Sequence, residues 1–190
     1  MLTQAEKKRL RHILLDHRNA LTPSQVKHDS QNICKKIISQ PVFKKANHIA
    51  IYMSKDNEVD VSFLLNSPHS RHKHFYLPVL KTDWTLEFHP YKSNDPCYLN
   101  IWRILEPNQQ HQSIYSHNLD MVILPMVGFT PDGHRLGMGK GCYDKSFSAK
   151  PIPFLLGVAF AFQELEQIPV EPHDLIMNLI ITEKKRFILS

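Results

Sequence analysis

DMVILPMVGFTPDGHRLGMGKGCYDK, residues 120–145, sets an unbroken apolar run directly ahead of a glycine-rich loop. Such a run, Asp120–Pro125, suits a strand buried on both faces, as in a parallel sheet. Four more runs have the same character: His48–Met53 (HIAIYM), Lys73–Val79 (KHFYLPV), Phe154–Phe160 (FLLGVAF) and Leu175–Thr182 (LIMNLIIT). Trp84, Leu86 and Phe88 instead alternate with polar residues, which predicts a half-buried edge or antiparallel strand. The fold class is α/β: a mostly parallel or mixed open sheet flanked by helices, a Rossmann-like three-layer sandwich.

Two helices precede the first strand. Thr3 and Glu6 make a capping box, with Leu10, Ile13 and Leu14 as the apolar stripe behind it, and this helix should run to about Ala20. Pro23 opens a second helix whose Val26, Ile33, Ile37 and Ile38 face inward. The stretch Asn94–Asn118, rich in Asn, Gln, Pro and Ser, reads as an irregular excursion. No repeat, low-complexity tract or linker interrupts the chain, so residues 1–190 are expected to form one domain.

The 190 residues suffice for a core without staples. No apolar run approaches the roughly 18–20 residues of a membrane span. The N-terminal stretch is basic, lacks the apolar segment of a secretory signal, and carries Glu6 and Asp16, unlike a transit peptide. Cys34, Cys97 and Cys142 are odd in number, without metal-like spacing, and fit a reducing compartment. A cytoplasmic protein is expected, without a membrane partner. The net charge of +5 suits either a nucleic-acid footprint or a pocket for a polyanionic small molecule.

Three of the six glycines, Gly137, Gly139 and Gly141, fall within five residues around Met138 and Lys140. Glycines let backbone amides approach phosphate oxygens, and a loop beyond a strand's carboxyl end is where open α/β sheets collect ligands. The loop is not a P-loop, which would need glycine at His134 and a hydroxyl residue at Gly141. Nor is it G-x-G-x-x-G, because the last glycine would fall at Cys142. Taken bare, a phosphate loop and a tight structural turn stay equally open. Arg135 and Lys140 bracket it with positive charge, and Asp144 is a carboxylate suited to Mg²⁺ bridging phosphates.

With these neighbours, LPMVGFTPDGHRLGMGKGCYDK resembles the signature of the 5-formyltetrahydrofolate cyclo-ligase family, also called 5,10-methenyltetrahydrofolate synthetases. Lys7-Lys8-Arg9-Leu10-Arg11 is similar to that family's N-terminal K-x-x-L-R, and Glu58-Val59-Asp60 to its E-[VI]-[DE] element. Ile104-Leu105-Glu106-Pro107 and Ile168–Asp174 resemble its I-x-E-P and P-V-x-x-x-D elements, so the likeness covers essentially the whole chain.

The resemblance implies ATP- and Mg²⁺-dependent conversion of 5-formyltetrahydrofolate to 5,10-methenyltetrahydrofolate, with ADP and phosphate released. It implies phosphorylation of the formyl oxygen, then attack by nitrogen 10. It places Lys7, Arg11, Arg135, Gly137, Met138, Gly139, Lys140, Gly141, Cys142 and Tyr143 against ATP, with Lys140 and Arg135 as the catalytic pair. Met53, Glu58 and Tyr143 are implied to touch the folate, and Asp144 and Asp174 to ligate the metal. The implied partner is this small molecule, polyglutamylated or not, bound by a monomer. By residue type alone, Lys7 and Arg11 read as a solvated helix face, Glu58 as surface charge, and Asp174 equally well as a solvated carboxylate.

Two positions depart from the family pattern. Cys142 stands where the first of two tyrosines is usual, and Asn178 stands where many relatives carry an acid. Cys142 reads as a small filler rather than a reactive thiol. His69-Ser70-Arg71-His72-Lys73-His74, mixed with Arg and Lys, reads as a solvated loop rather than a metal site. The alternatives are a basic nucleic-acid-binding α/β protein, or an enzyme like the sugar-phosphate isomerases and CoA-transferases. Against the first, no nucleic-acid motif or aromatic interleaving appears; the second would not require Lys7, Arg11 and Asp144 together.

Overall fold

Alternation inside each apolar run decides which side of the sheet a residue faces, and both sides are buried. In the computed structural model, which describes residues 4–149 and 151–189, seven strands form the central sheet. They are β1 (His48–Ala50), β2 (His74–Leu80), β3 (Leu86–Tyr91), β6 (Met121–Pro125), β9 (Phe154–Val158), β10 (Leu179–Ile181) and β11 (Arg186–Ile188). Their order is β11-β10-β9-β6-β1-β2-β3. The five inner strands pair in parallel, whereas β3 and β11 close the edges antiparallel. The α/β class and the antiparallel strand through Leu86 and Phe88 therefore stand as expected.

Ile49, Met121, Ile123, Leu156, Val158, Leu179 and Ile181 face one side. Ile33, Cys34 and Ile37 of α2 (Pro23–Ser39) and Phe43 of α3 (Pro41–Lys45) cover them. Thr22 caps α2, its hydroxyl accepting from the Gln25 amide at 3.3 Å while Gln25 Oε1 accepts from the Thr22 amide at 2.9 Å. Ala50, Val122, Leu124, Leu155 and Ile180 face the other side, under Phe129, Phe147 and Phe187. Among the described residues that layer holds the short α4 (Cys142–Ser146), short strand segments and irregular chain, and no long helix.

Helix α1 (Gln4–Asn19) lies on neither face. Its Leu14 packs with Val127, Leu136 and Ile168, on the loops beyond the carboxyl ends of the strands. Leu10 joins this contact, but Ile13 is 39% exposed and drops out of the expected stripe. Thr3, half of the expected capping box, lies outside the described residues.

Three strand expectations shorten, each for a visible reason. The chain leaves the sheet after Ala50, although the Ile51 amide still donates to Tyr76 at 2.9 Å. Of Leu175–Thr182 only Leu179–Ile181 is strand, because the Leu175 amide turns away to Asp144 Oδ1 at 2.9 Å. Phe154–Phe160 ends at Val158, where a helical turn over Ala161–Gln163 begins to form. The excursion 94–118 is less irregular than its composition suggests: β4 (Cys97–Leu99) and β5 (Leu105–Pro107) pair as a hairpin. No helix among the described residues is long and apolar enough to cross a membrane.

Candidate functional site

Strand order reverses direction between β1 and β6: from β1 the chain moves outward to β2, then returns to add β6, β9 and β10 on the other side. In open α/β sheets ligands bind outside the carboxyl ends of the strands at such a point. Here Tyr52, Glu58, Pro125, Met126 and Gln163 converge around the ends of β1 and β6. Helix α1 runs past this point and turns one row of residues inward, Lys7, Arg11, Leu14 and Arg18, of which Arg18 lines the same wall.

That row is not a solvated basic face. Lys7 is 8% and Arg18 only 3% exposed, whereas Lys8 and Arg9 point to solvent. Lys7 Nζ lies 3.3 Å from Glu171 Oε1. Arg11 Nε donates to the Gly137 carbonyl at 2.7 Å. Arg18 Nε donates to the Asp56 carbonyl at 3.0 Å, and its Nη1 lies 3.6 Å from Glu58 Oε1. One helix thus touches the C-terminal acidic turn, the glycine loop and the loop after β1.

The glycine loop follows a small hairpin, β7 (Gly128–Phe129) with β8 (Arg135–Leu136). Gly139 and Gly141 take φ of +90° and +66°, the left-handed region that side chains rarely adopt. A Cβ on Gly139 would stand 3.3 Å from the Arg11 guanidinium carbon, so the loop and the arginine are in close apposition. Met138, at 63% exposure, and Lys140 point outward, and Lys140 Nζ sits 4.6 Å from the centre of the Trp84 ring.

Arg135 lies behind this loop. Its Nη2 pairs with Asp144 Oδ1 at 2.7 Å and its Nη1 donates to the Leu175 carbonyl at 2.9 Å. Both side chains are nearly buried, 8% and 14% exposed. Asp174 accepts the Glu171 amide on Oδ2 at 2.8 Å, and its neighbour Leu175 donates to Asp144. The two acids implied for metal therefore meet through residues 171–175. Among the described residues no three His, Cys, Asp or Glu side chains converge as a metal cage. Magnesium needs only one or two carboxylates when other oxygens supply the rest, so Asp144 or Asp174 would suffice to hold it without a cage.

Glu58 is not surface charge: its side chain is 17% exposed. Burial pushes its carboxyl above the usual range, and the Arg18 charge works against that push. Lys55 anchors it, its amide donating to Glu58 Oε2 at 3.1 Å. The Tyr143 phenol is raised chiefly by burial and next by the nearby Glu58 charge. Tyr52 joins them, its hydroxyl donating to the Val59 carbonyl at 2.6 Å. Met53 is partly buried against the main core.

Burial also raises the Cys142 thiol, more than Lys145 lowers it, so it is a protonated neighbour of the loop rather than a nucleophile. Asn178 fastens two strands together. Its Oδ1 accepts from the Leu155 amide at 2.8 Å and its own amide donates to the Leu155 carbonyl at 2.9 Å, starting the β9–β10 pairing. In the histidine-rich segment, His74 stacks on His48 with ring centres 5.2 Å apart.

Two participants have no sequence signal of their own. Arg18 looks like any helix-end arginine, and only its place a heptad after Arg11 puts it on the inner row. Gln163 is 1% exposed and donates to the carbonyls of Met126 and Val127 at 2.7 and 2.8 Å, fixing the chain where β6 ends.

The chain is similar to known proteins along most of its length. The sequence profile of the 5-formyltetrahydrofolate cyclo-ligase family matches residues 3–183. A 5-formyltetrahydrofolate cyclo-ligase of Escherichia coli is 30% identical over 182 residues, 91% of this chain and 98% of its own length. That of Haemophilus influenzae is 33% identical over 161 residues, 81% of this chain and 85% of its own. Among solved structures, the 5,10-methenyltetrahydrofolate synthetase of Aquifex aeolicus superposes with a TM-score of 0.84 at 28% identity, covering 97% of this chain and 93% of the other. The Mycoplasma pneumoniae synthetase gives 0.76 at 25% identity, covering 94% and 99%.

Proposed function

The chain belongs to the 5-formyltetrahydrofolate cyclo-ligase family, and we propose that it converts 5-formyltetrahydrofolate to 5,10-methenyltetrahydrofolate with ATP, releasing ADP and phosphate. A formyl oxygen is a poor leaving group, so closure by nitrogen 10 stalls without activation. Transfer of the terminal phosphoryl group to that oxygen makes the carbon electrophilic. Nitrogen 10 then forms its bond to the carbon and gives up its proton, and the oxygen departs on phosphate. Because both ends belong to one molecule, the attack has a high effective molarity.

The observation that carries this reading is the seating of Arg11 on the glycine loop, 2.7 Å from the Gly137 carbonyl and beneath Gly139. It joins two cation-bearing elements around a backbone that side chains would block, which suits a polyphosphate held by amides and fixed charges. Lys7, Arg11 and Lys140 neutralise the phosphates, with Met138 and Cys142 alongside. Arg135 acts from behind, keeping Asp144 oriented. Asp144 and Asp174 would hold Mg²⁺, which when bound neutralises charge between phosphate oxygens. Glu58, braced by Arg18, accepts hydrogen bonds from the pterin ring, with Tyr143 and Met53 against its faces.

The test is the absorbance of the methenyl product on mixing protein, 5-formyltetrahydrofolate, Mg²⁺ and ATP. A rise that needs both ATP and metal is expected. Nucleotide binding by calorimetry without any rise would move the phosphoryl group to a different acceptor and overturn the reading.

A further inference from the structure

Trp84 sits in the turn between β2 and β3 with φ of +68°, where a bulky side chain is a genuine outlier and glycine is the usual occupant. The turn itself is tight, Trp84 donating to the Lys81 carbonyl at 3.1 Å and Lys81 to that of Thr85 at 2.9 Å. Nothing in the turn needs an indole. What the indole does reach is Lys140, whose ammonium lies 4.6 Å from its ring centre, and Trp102, at 5.2 Å between rings.

Lys140 needs such a neighbour. It stands between two left-handed glycines, on the most pliable backbone of the loop, and its side chain is exposed. Among the described residues no carboxylate pairs with it, unlike Lys7 with Glu171 or Arg135 with Asp144. An aromatic face attracts an ammonium without neutralising it, so the charge stays available to an incoming anion. A carboxylate in the same place would compete with phosphate.

We propose that Trp84 is a positioning residue for Lys140: its ring seats the ammonium beside the glycine loop and hands it to the nucleotide phosphates when they bind. The proposal rests on reading that loop as the phosphate site. It also accounts for a tryptophan standing where glycine would relax the backbone.

The chain has two tryptophans, so Trp102→Phe leaves Trp84 as the sole indole. In that protein, titration with ADP should change the Trp84 emission, and the change should vanish when Lys140→Met is added. Trp84→Gly should fold at least as well as the parent, by thermal midpoint, because glycine suits that φ. Its KM for ATP should nonetheless rise about two- to fivefold, the loss expected for one exposed cation–π contact, and Trp84→Phe should recover most of it. An unchanged KM in Trp84→Gly, with the emission response to ADP intact, would overturn the positioning role alone. An emission change on Lys140→Met with no response to ADP would overturn the phosphate-loop reading and the proposal together.

Discussion

Arg11 and Gly139 touch without a side chain between them: the guanidinium carbon stands 3.3 Å from where a Cβ would begin. The loop is therefore shaped by what is missing from it as much as by what it carries. Gly139→Ala brings a Cβ into that gap at a φ of +90° and should cost about 1–2 kcal/mol of stability in urea unfolding. Arg11→Gln leaves the backbone free but removes a charge-assisted hydrogen bond of about 1.5–3 kcal/mol, so kcat/KM for ATP should fall on the order of tenfold or more. Equal kinetics in both variants and the parent would remove Arg11 from the nucleotide site.

The Asp144–Arg135 pair bears on stability as well as on the proposed metal site. Asp144→Asn leaves a nearly buried guanidinium without its charge partner, which typically costs about 3–5 kcal/mol. Urea unfolding should register that loss before any assay does. In the folded variant, measured below its unfolding range, half-maximal turnover should need more Mg²⁺. An unaltered metal titration would leave Asp144 with a structural role only.

In the proposed site Glu171 and ATP would compete for one cation, the Lys7 ammonium. The Lys7 hydrogen bond and charge hold the Glu171 carboxyl below the usual range. A depressed carboxyl stabilises the fold above its unfolded pKa and loses that contribution as pH falls through the lower, folded value. Glu171→Gln should therefore lower the KM for ATP, while Lys7→Ala should raise it. Steady-state kinetics at saturating folate separate the two; the same sign in both would contradict competition.

Glu58 titrates in the opposite sense. Burial raises its carboxyl, so the contribution to stability is full below the unfolded pKa and is lost as pH rises through the higher, folded value. The difference in unfolding free energy between wild type and Glu58→Gln should slope with pH across that window and flatten on both sides. The variant's KM for 5-formyltetrahydrofolate should rise about tenfold or more, for a lost charged acceptor. A flat difference would mean that Glu58 is solvated, against the contacts with Arg18 and Lys55.

The sheet was legible because its residues are apolar on both sides, as in DMVILP, and no competing pattern explains such runs. Their ends were not, because backbone bonds to side chains set them: Asp144 draws Leu175 out of β10, and Asn178 stands in for a strand neighbour at Leu155. The glycine loop could be located from composition and order alone. Whether Lys7 and Glu58 were surface charges or buried groups could not, since a helix face and a short polar loop read alike until their partners are known. Arg18 and Gln163 stayed hidden for the same reason. Each acts on the backbone of a segment far away in sequence, and such contacts leave no local pattern.

The span between Lys7 and Glu171 is 164 residues, and that between Arg11 and Gly137 is 126. During synthesis α1 emerges early, with its cationic row facing partners that do not yet exist. Contacts of such separation close long loops, and the packed sheet is what holds the distant segments together. The proposed nucleotide site is thus complete only when distant parts of the chain have met, and ATP binding would report on the finished fold rather than on any one segment.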